Sequence, residues 1–455
     1  METIAQFLNT AVGYVWGLPL VCLLVGAGLL FTVIFKGIQF RAFVHAINVV
    51  RGKFDHPGDP GEISHFQALC TALSATVGLG NIAGVAVAIN MGGPGAIFWM
   101  VLTGVVGMAT KYVECSLAIM YRKVDERGVV HGGPMYYIIL GLGEKWRPMA
   151  AFFAFATMAS SFGAANMFQT NQVASILETS FSVPPFLTGV VFAITTAMVI
   201  IGGIKRIANV TSYLVPFMAG IYILGALVVI VVNIAEVPAA FYQIFHDAFN
   251  GTAATGAFAG IAVRTVLVQG VRRACFSNEA GLGSAPIAHS AASTSEPIRE
   301  GVVALLGPFI DTVVICTMTA LVILLSGAWT QSANGVDLTA IAFDDAIPGF
   351  GGYFVPIAVM LFAYSTLISW SYYGERAADF LWGEKGILPY KITFCCLAFV
   401  GAIWHLGPVL DFSDIMLGLM TIPNLIAIIL LMPRVKEASA KYFNKLKNNE
   451  FQVFK

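Results

Sequence analysis

Long apolar runs separated by short polar stretches dominate this chain. Runs long enough to cross a bilayer fall near 12–35, 63–91, 95–121, 148–177, 183–203, 209–234, 253–292, 301–327, 351–380, 388–406 and 410–432. The pattern predicts an all-α polytopic membrane protein with 11 transmembrane helices. The stretch 327–350 reads as a short amphipathic element on the outer side, either a vestibule cap or a passive connector. Arg122–Arg147, which contains Gly132 and Pro134, reads as a long cytoplasmic connector.

The run 63–91 is longer than a crossing needs. Its 29 residues carry no Asp, Glu, Lys or Arg after Glu62 and would rise about 43 Å as one helix, whereas about 20 residues cross a bilayer. Near its middle lies Ala75-Thr-Val-Gly-Leu-Gly-Asn-Ile-Ala-Gly84. Gly78, Gly80, Asn81 and Gly84 are poor helix formers at the depth where the midplane falls. Irregular backbone survives there only against a protected cavity, because lipid satisfies no free N–H or C=O group. A broken membrane helix with a polar side chain at the break reads as a binding site.

Composition narrows the class. Of 455 residues, 58% are hydrophobic and 11% charged, which excludes a soluble fold and makes membrane lipid the surrounding partner. Net charge is zero, and no basic block before the C-terminal tail is large enough for nucleic acid. All seven cysteines lie in apolar segments without metal-ligand spacing and read as small buried hydrophobes. Met1–Ala11 lacks a basic leader, so the first apolar run is expected to be a retained helix.

Charge orients the spans. Lys36, Arg41, Arg51 and Lys53 follow the first, Arg122 to Arg147 the third, Lys205 and Arg206 the fifth, and Arg299 the seventh. Arg376, Lys385 and Lys391 follow the ninth, and the tail adds Arg434 to Lys455. The alternate loops carry no Lys or Arg. The positive-inside rule therefore places the N-terminus outside and the C-terminus in the cytoplasm.

Setting the first helix and its linker (1–62) aside leaves ten spans in two five-helix halves, 63–234 and 253–432, followed by a tail, 433–455. An odd number of spans per half gives the halves opposite topology. Each half opens on a glycine break, Gly78-Leu-Gly-Asn81 in one and Gly281-Leu-Gly-Ser284 in the other. Paired interrupted helices in inverted halves point to the midplane site of a secondary transporter. An integral-membrane enzyme needs a catalytic constellation near an interface, and no Ser/His, paired-Asp or His-x-x-x-His set is present.

The runs Gly61-Glu-Ile-Ser-His-Phe-Gln-Ala-Leu69, Gly80-Asn-Ile-Ala-Gly84, Gly92-Gly-Pro-Gly-Ala-Ile-Phe98 and Phe276-Ser-Asn-Glu-Ala-Gly-Leu-Gly-Ser-Ala-Pro286 resemble the alanine or glycine:cation symporter family over essentially the whole chain. That resemblance implies a leucine-transporter-type 5+5 inverted-repeat fold with one extra N-terminal helix. It also implies a bacterial or archaeal plasma-membrane location and sodium-coupled uptake of small neutral amino acids: alanine, glycine and, in some members, glutamine. A proton-coupled transporter of the same fold, with Glu279 carrying the proton, is the alternative.

A zwitterionic substrate needs donors for its carboxylate and acceptors for its ammonium, and the helix halves at a break supply both. Thr76, Gly80 and Asn81 are expected on the carboxylate side, with Asn81 also placed to cap the broken helix. Phe276, Ser277, Gly281 and Gly283 are the matching candidates at the second break. Phe276 is either a pocket wall or an ordinary packing contact. Gln169 is a substrate candidate by resemblance, and Trp370 reads as a pocket wall or inner gate. Glu279, flanked by Arg272 and Arg273, reads as a gate or structural ion pair. Lys111 and Glu114, at i and i+3, are expected to neutralise each other. Arg264 and Asp311 have no assigned role. The adjacent hydroxyls of Ser365 and Thr366 suit a hard cation, although such hydroxyls also bond their own helix. In leucine-transporter-type folds they share a sodium ion with carbonyls of the first broken helix, here those of Ser74 and Val77.

Overall fold

The computed structural model describes residues 2–250, 259–331, 333, 335–404 and 407–454. The start of the expected 253–292 span and the end of 388–406 fall outside these residues. The described chain is helical apart from a short hairpin in the connector after the third span, where Lys123–Val124 pairs with Val130–His131, and an isolated bridge between Ile63 and Ala292.

Among the described residues, eight helices are long and apolar enough to cross a membrane, and nine if the bent pair His65–Thr76 and Gly80–Gly92 is one span. Two of the eleven expected crossings fall short for physical reasons. Pro185–Ile200 is apolar but has only 16 residues, about 24 Å of helix against a hydrocarbon core of about 30 Å. Ala259–Asn278 carries Arg264, Arg272 and Arg273, and its chain then breaks. The last helix, Gly407–Lys447, continues through Pro433, so no structural break marks the start of the expected tail.

Local chemistry sets both breaks. The first broken helix starts on a capping box, in which Ser64 accepts from the Gln67 amide and Gln67 accepts from that of Ser64. It stops at Val77, whose ψ of 91° is extended, and resumes as a π-turn over Gly80–Gly84. The second segment, Gly80–Gly92, leaves at 55° to His65–Thr76. At the second break three residues take left-handed backbone: Glu279 (φ 57°), Gly281 (φ 91°) and Gly283 (φ 86°). Glycine bears this freely, whereas Glu279 loses about 1–2 kcal/mol. Hydrogen bonds to its carboxylate from Trp370 Nε1 (2.8 Å) and the Ser284 hydroxyl offset that strain.

The far ends of the two breaks are fastened to each other. Buried Glu300 takes one imidazole Nδ1 on each carboxylate oxygen, His65 from the first broken helix and His289 from the second. Arg122 donates to the carbonyls of Ser290, Ala292, Pro60 and Thr294 at 2.6–2.7 Å. The element at 335–346 lies over the first break, and Thr339 donates to the Ile82 carbonyl at 3.2 Å.

Candidate functional site

The two broken helices cross at Gly80 and Ser277. A Cβ on Gly80 would meet the Ser277 Cα at 3.2 Å and its Cβ at 3.5 Å, so a larger residue there needs Ser277 to give by a few tenths of an ångström. Beside the crossing lies a cavity of about 320 Å³. Thr76, Gly80, Gln169, Phe276, Trp370 and Thr366 line it, and all six are residues the sequence singles out. Both the size and the mixed apolar and polar wall suit a small zwitterion.

The polar groups at this wall differ in what occupies them. Thr76 Oγ1 donates to Leu73 O of its own helix (3.3 Å). Gln169 Nε2 donates to the Ala164 carbonyl (3.2 Å), while its buried Oε1 has no hydrogen-bond partner among the described residues. A buried acceptor left open at a cavity wall is matched to an incoming N–H donor such as an ammonium. Trp370 and Glu279 close one end through their 2.8 Å hydrogen bond. Arg273 and Asp414 line another part of the wall, and Arg272 lies 3.7 Å from the Asp414 carboxylate.

Four candidates sit behind the wall instead of on it. Asn81 is fully buried; its Oδ1 accepts from the Gly78 amide (2.8 Å), and its Nδ2 donates to Asp311 Oδ1 (2.7 Å) and to the Asp311 carbonyl (3.1 Å). Ser277 donates to Asp311 Oδ2 (2.8 Å). Gly281 and Gly283 face Leu24 and Asn424, where any Cβ would meet packed side chains at 2.6–2.9 Å. The Asn81 side chain is thus engaged at the break itself, by Gly78 N, Asp311 and Cys316 Sγ, and does not line the cavity.

Asp311 was silent in the sequence. Its carboxylate takes donors from Asn81, Ser277 and Thr312 and has no ion pair among the described residues. An isolated acid in an apolar span was the available signal, but nothing local names its partners. The ion pairs expected of two other groups are also replaced. Glu279 meets Trp370 and Ser284 instead of an arginine. Glu114 takes Asn424 Nδ2 instead of Lys111, because Asn424 reaches across to both Glu114 and the Gly281 carbonyl (2.7 Å). Arg264 is exposed and away from the cavity.

Three of the four expected sodium ligands lie together: the Ser365 hydroxyl faces the carbonyls of Ser74 and Val77. Ser365 Oγ lies 3.2 Å from the Ser74 carbonyl, 3.4 Å from that of Val77 and 2.9 Å from that of Phe362. Ser74 in turn donates to the Ser365 carbonyl at 2.7 Å. Thr366 Oγ1 is buried without a partner, in contact with the space where a Gly78 Cβ would stand. Thr366 Oγ1 lines the cavity beside Gly78 as a buried hydroxyl oxygen open to a further ligand. The Phe362 carbonyl is an addition to the expected set.

Two interrupted membrane helices crossing beside a cavity are the arrangement expected of a secondary transporter of the leucine-transporter type. The fold is similar to that of MhsT in a crystal structure with L-phenylalanine, with a TM-score of 0.58 over 82% of this chain and 90% of that chain at 16% identity. The chain belongs to the Sodium:alanine symporter family, whose family model matches residues 1–455. It is 46% identical over 451 residues to the sodium/alanine symporter AgcS of Methanococcus maripaludis, covering 98% of each chain. It is 37% identical to the probable sodium/glutamine symporter GlnT of Bacillus subtilis, over 100% of this chain and 94% of that one.

Proposed function

We propose that this protein is a sodium-coupled symporter that imports alanine and glycine across a bacterial or archaeal plasma membrane by alternating access. The observation that carries this reading is the contact between the expected sodium ligands and the cavity: Thr366 belongs to both, and Gly78 to Gly80 run from one to the other. Sodium held by Ser74, Val77, Ser365 and Thr366 fixes the first break in the shape that forms the cavity wall. Coupling follows, since each ligand stabilises the backbone that the other needs. Gly80 and Thr76 serve the substrate carboxylate, Gln169 Oε1 serves the ammonium, and Phe276 and Trp370 limit the side chain. The two halves, 63–234 and 253–432, move against each other around the crossing.

Purified protein in liposomes is expected to accumulate labelled alanine when an inward sodium gradient is imposed at fixed pH, with glycine competing. Uptake that ignores sodium but follows a proton gradient would reject this reading in favour of proton coupling through Glu279, a cavity-lining carboxylate without an ion pair among the described residues. The same proposal places the N-terminus outside and the C-terminus in the cytoplasm. Reporter fusions at Met1 and Lys455 are expected to report opposite compartments, and matching reports would overturn that orientation.

A further inference from the structure

The N-terminal helix lies outside both expected halves, yet it reaches the substrate cavity's wall. Trp16, between helices Glu2–Val15 and Leu18–Ile34, is 2% exposed and does not itself line the cavity. Its ring packs on Phe276, with centroids 4.7 Å apart and planes inclined by 35°. The guanidinium carbons of Arg272 and Arg273 stand 5.9 and 5.8 Å from the same phenyl centroid. The phenyl ring thus has an aromatic brace and two cationic neighbours besides its cavity contact.

Trp16 is itself fixed. Its Nε1–H donates to the Asp414 carbonyl at 3.0 Å, and Asp414 also lines the cavity. Gly418, one turn further along that helix, leaves the space the indole fills; a Cβ there would meet Nε1 at 3.1 Å and Cε2 at 3.2 Å. The next helix of the same N-terminal segment touches the second break as well, where Leu24 fills the position a Gly281 Cβ would take. Two contacts therefore brace the second broken helix, one on each side of Glu279.

We propose that Trp16 is a positioning residue that sets substrate size, by holding the Phe276 ring against the cavity so that larger neutral side chains are refused. The proposal rests on the amino-acid transport reading above. A ring free to retreat enlarges the site, whereas a braced ring charges the cost of its displacement to every larger substrate. Fit of one methylene in an apolar pocket is worth roughly ten- to 200-fold in discrimination, so a modest shift of the ring is measurable.

The test compares initial uptake of labelled alanine and labelled leucine in liposomes by wild type, Trp16→Ala, Trp16→Leu, Trp16→Phe and Phe276→Ala. Trp16→Ala is expected to raise the leucine-to-alanine ratio of kcat/KM about tenfold, in line with loss of apolar-pocket discrimination. Trp16→Phe, which keeps a ring against Phe276, should restore most of the wild-type ratio. Adding Trp16→Ala to Phe276→Ala should move the ratio no further, because the two act through one wall. A Trp16 that serves only helix packing would instead lower uptake of both substrates in proportion and leave the ratio unchanged, which overturns the proposal. Trp16→Leu keeps apolar volume without the ring face and must show the same change of ratio if Trp16→Ala inserts poorly. Wild-type vesicles that take up no alanine would reject the transport reading; wild-type alanine uptake with an unchanged variant ratio would reject the role of Trp16 alone.

Discussion

Replacing Ser365 and Thr366 together with alanine is expected to raise the sodium concentration needed for half-maximal alanine uptake at least about tenfold, with saturating sodium restoring much of the rate. The double change removes two oxygens from a set completed by the carbonyls of Ser74, Val77 and Phe362. Each polar contact to a charged group is worth about 1.5–3 kcal/mol, or roughly ten- to hundredfold in affinity. Neither substitution introduces volume, and the Thr366 hydroxyl has no partner among the described residues to leave stranded. The fold should therefore tolerate the change better than the binding does. Reciprocal linkage makes the effect visible from both sides: apparent alanine affinity falls at low sodium and recovers as sodium rises. Uptake across a sodium titration, at constant ionic strength and pH, separates this from a packing role. A sodium midpoint unchanged in a well-inserted double mutant would confine both hydroxyls to the service of their own helix.

The parts of this site legible in the sequence are those whose signal is local. A charge-free run half again as long as a crossing, interrupted by Gly78, Gly80 and Asn81, announces a broken helix, and the structure bends there by 55°. Ser365 is legible by its place in the ninth span, and its hydroxyl faces the carbonyls of Ser74 and Val77. What the sequence hides is which face each polar residue presents. Asn81 and Ser277 lie beside cavity-lining Gly80 and Phe276, yet both turn away from the cavity toward Asp311. That choice depends on a residue 230 positions beyond Asn81 and 34 beyond Ser277. Glu114 likewise takes its hydrogen bond from Asn424, 310 positions away, a partner that the i, i+3 spacing to Lys111 does not reveal. The second break was found by its glycines, but its left-handed geometry also recruits Glu279, which composition alone would not place on such backbone.

The same hidden orientation changes what loss of Asn81 should look like. Asn81→Ala is expected to lower both apparent alanine affinity and apparent sodium affinity at least about tenfold, in a protein that still inserts. The carboxamide is fully buried and joins three groups: the Gly78 amide at 2.8 Å, the Asp311 carboxylate at 2.7 Å and the Asp311 carbonyl at 3.1 Å. Removing it strands the Gly78 N–H and takes one donor from an acid that has no ion pair among the described residues. Stranded buried partners cost about 1–3 kcal/mol each, and here that cost falls on the folded break itself. Gly78 abuts Thr366, a proposed sodium ligand, and Gly80 lies in the cavity wall against Ser277. A break that relaxes therefore damages both sites at once. A side chain that only held the substrate would give a different pattern, with alanine affinity reduced and the sodium midpoint fixed. Measuring both midpoints in the same vesicles decides between them, and unchanged values for each would show that the break keeps its shape without the carboxamide.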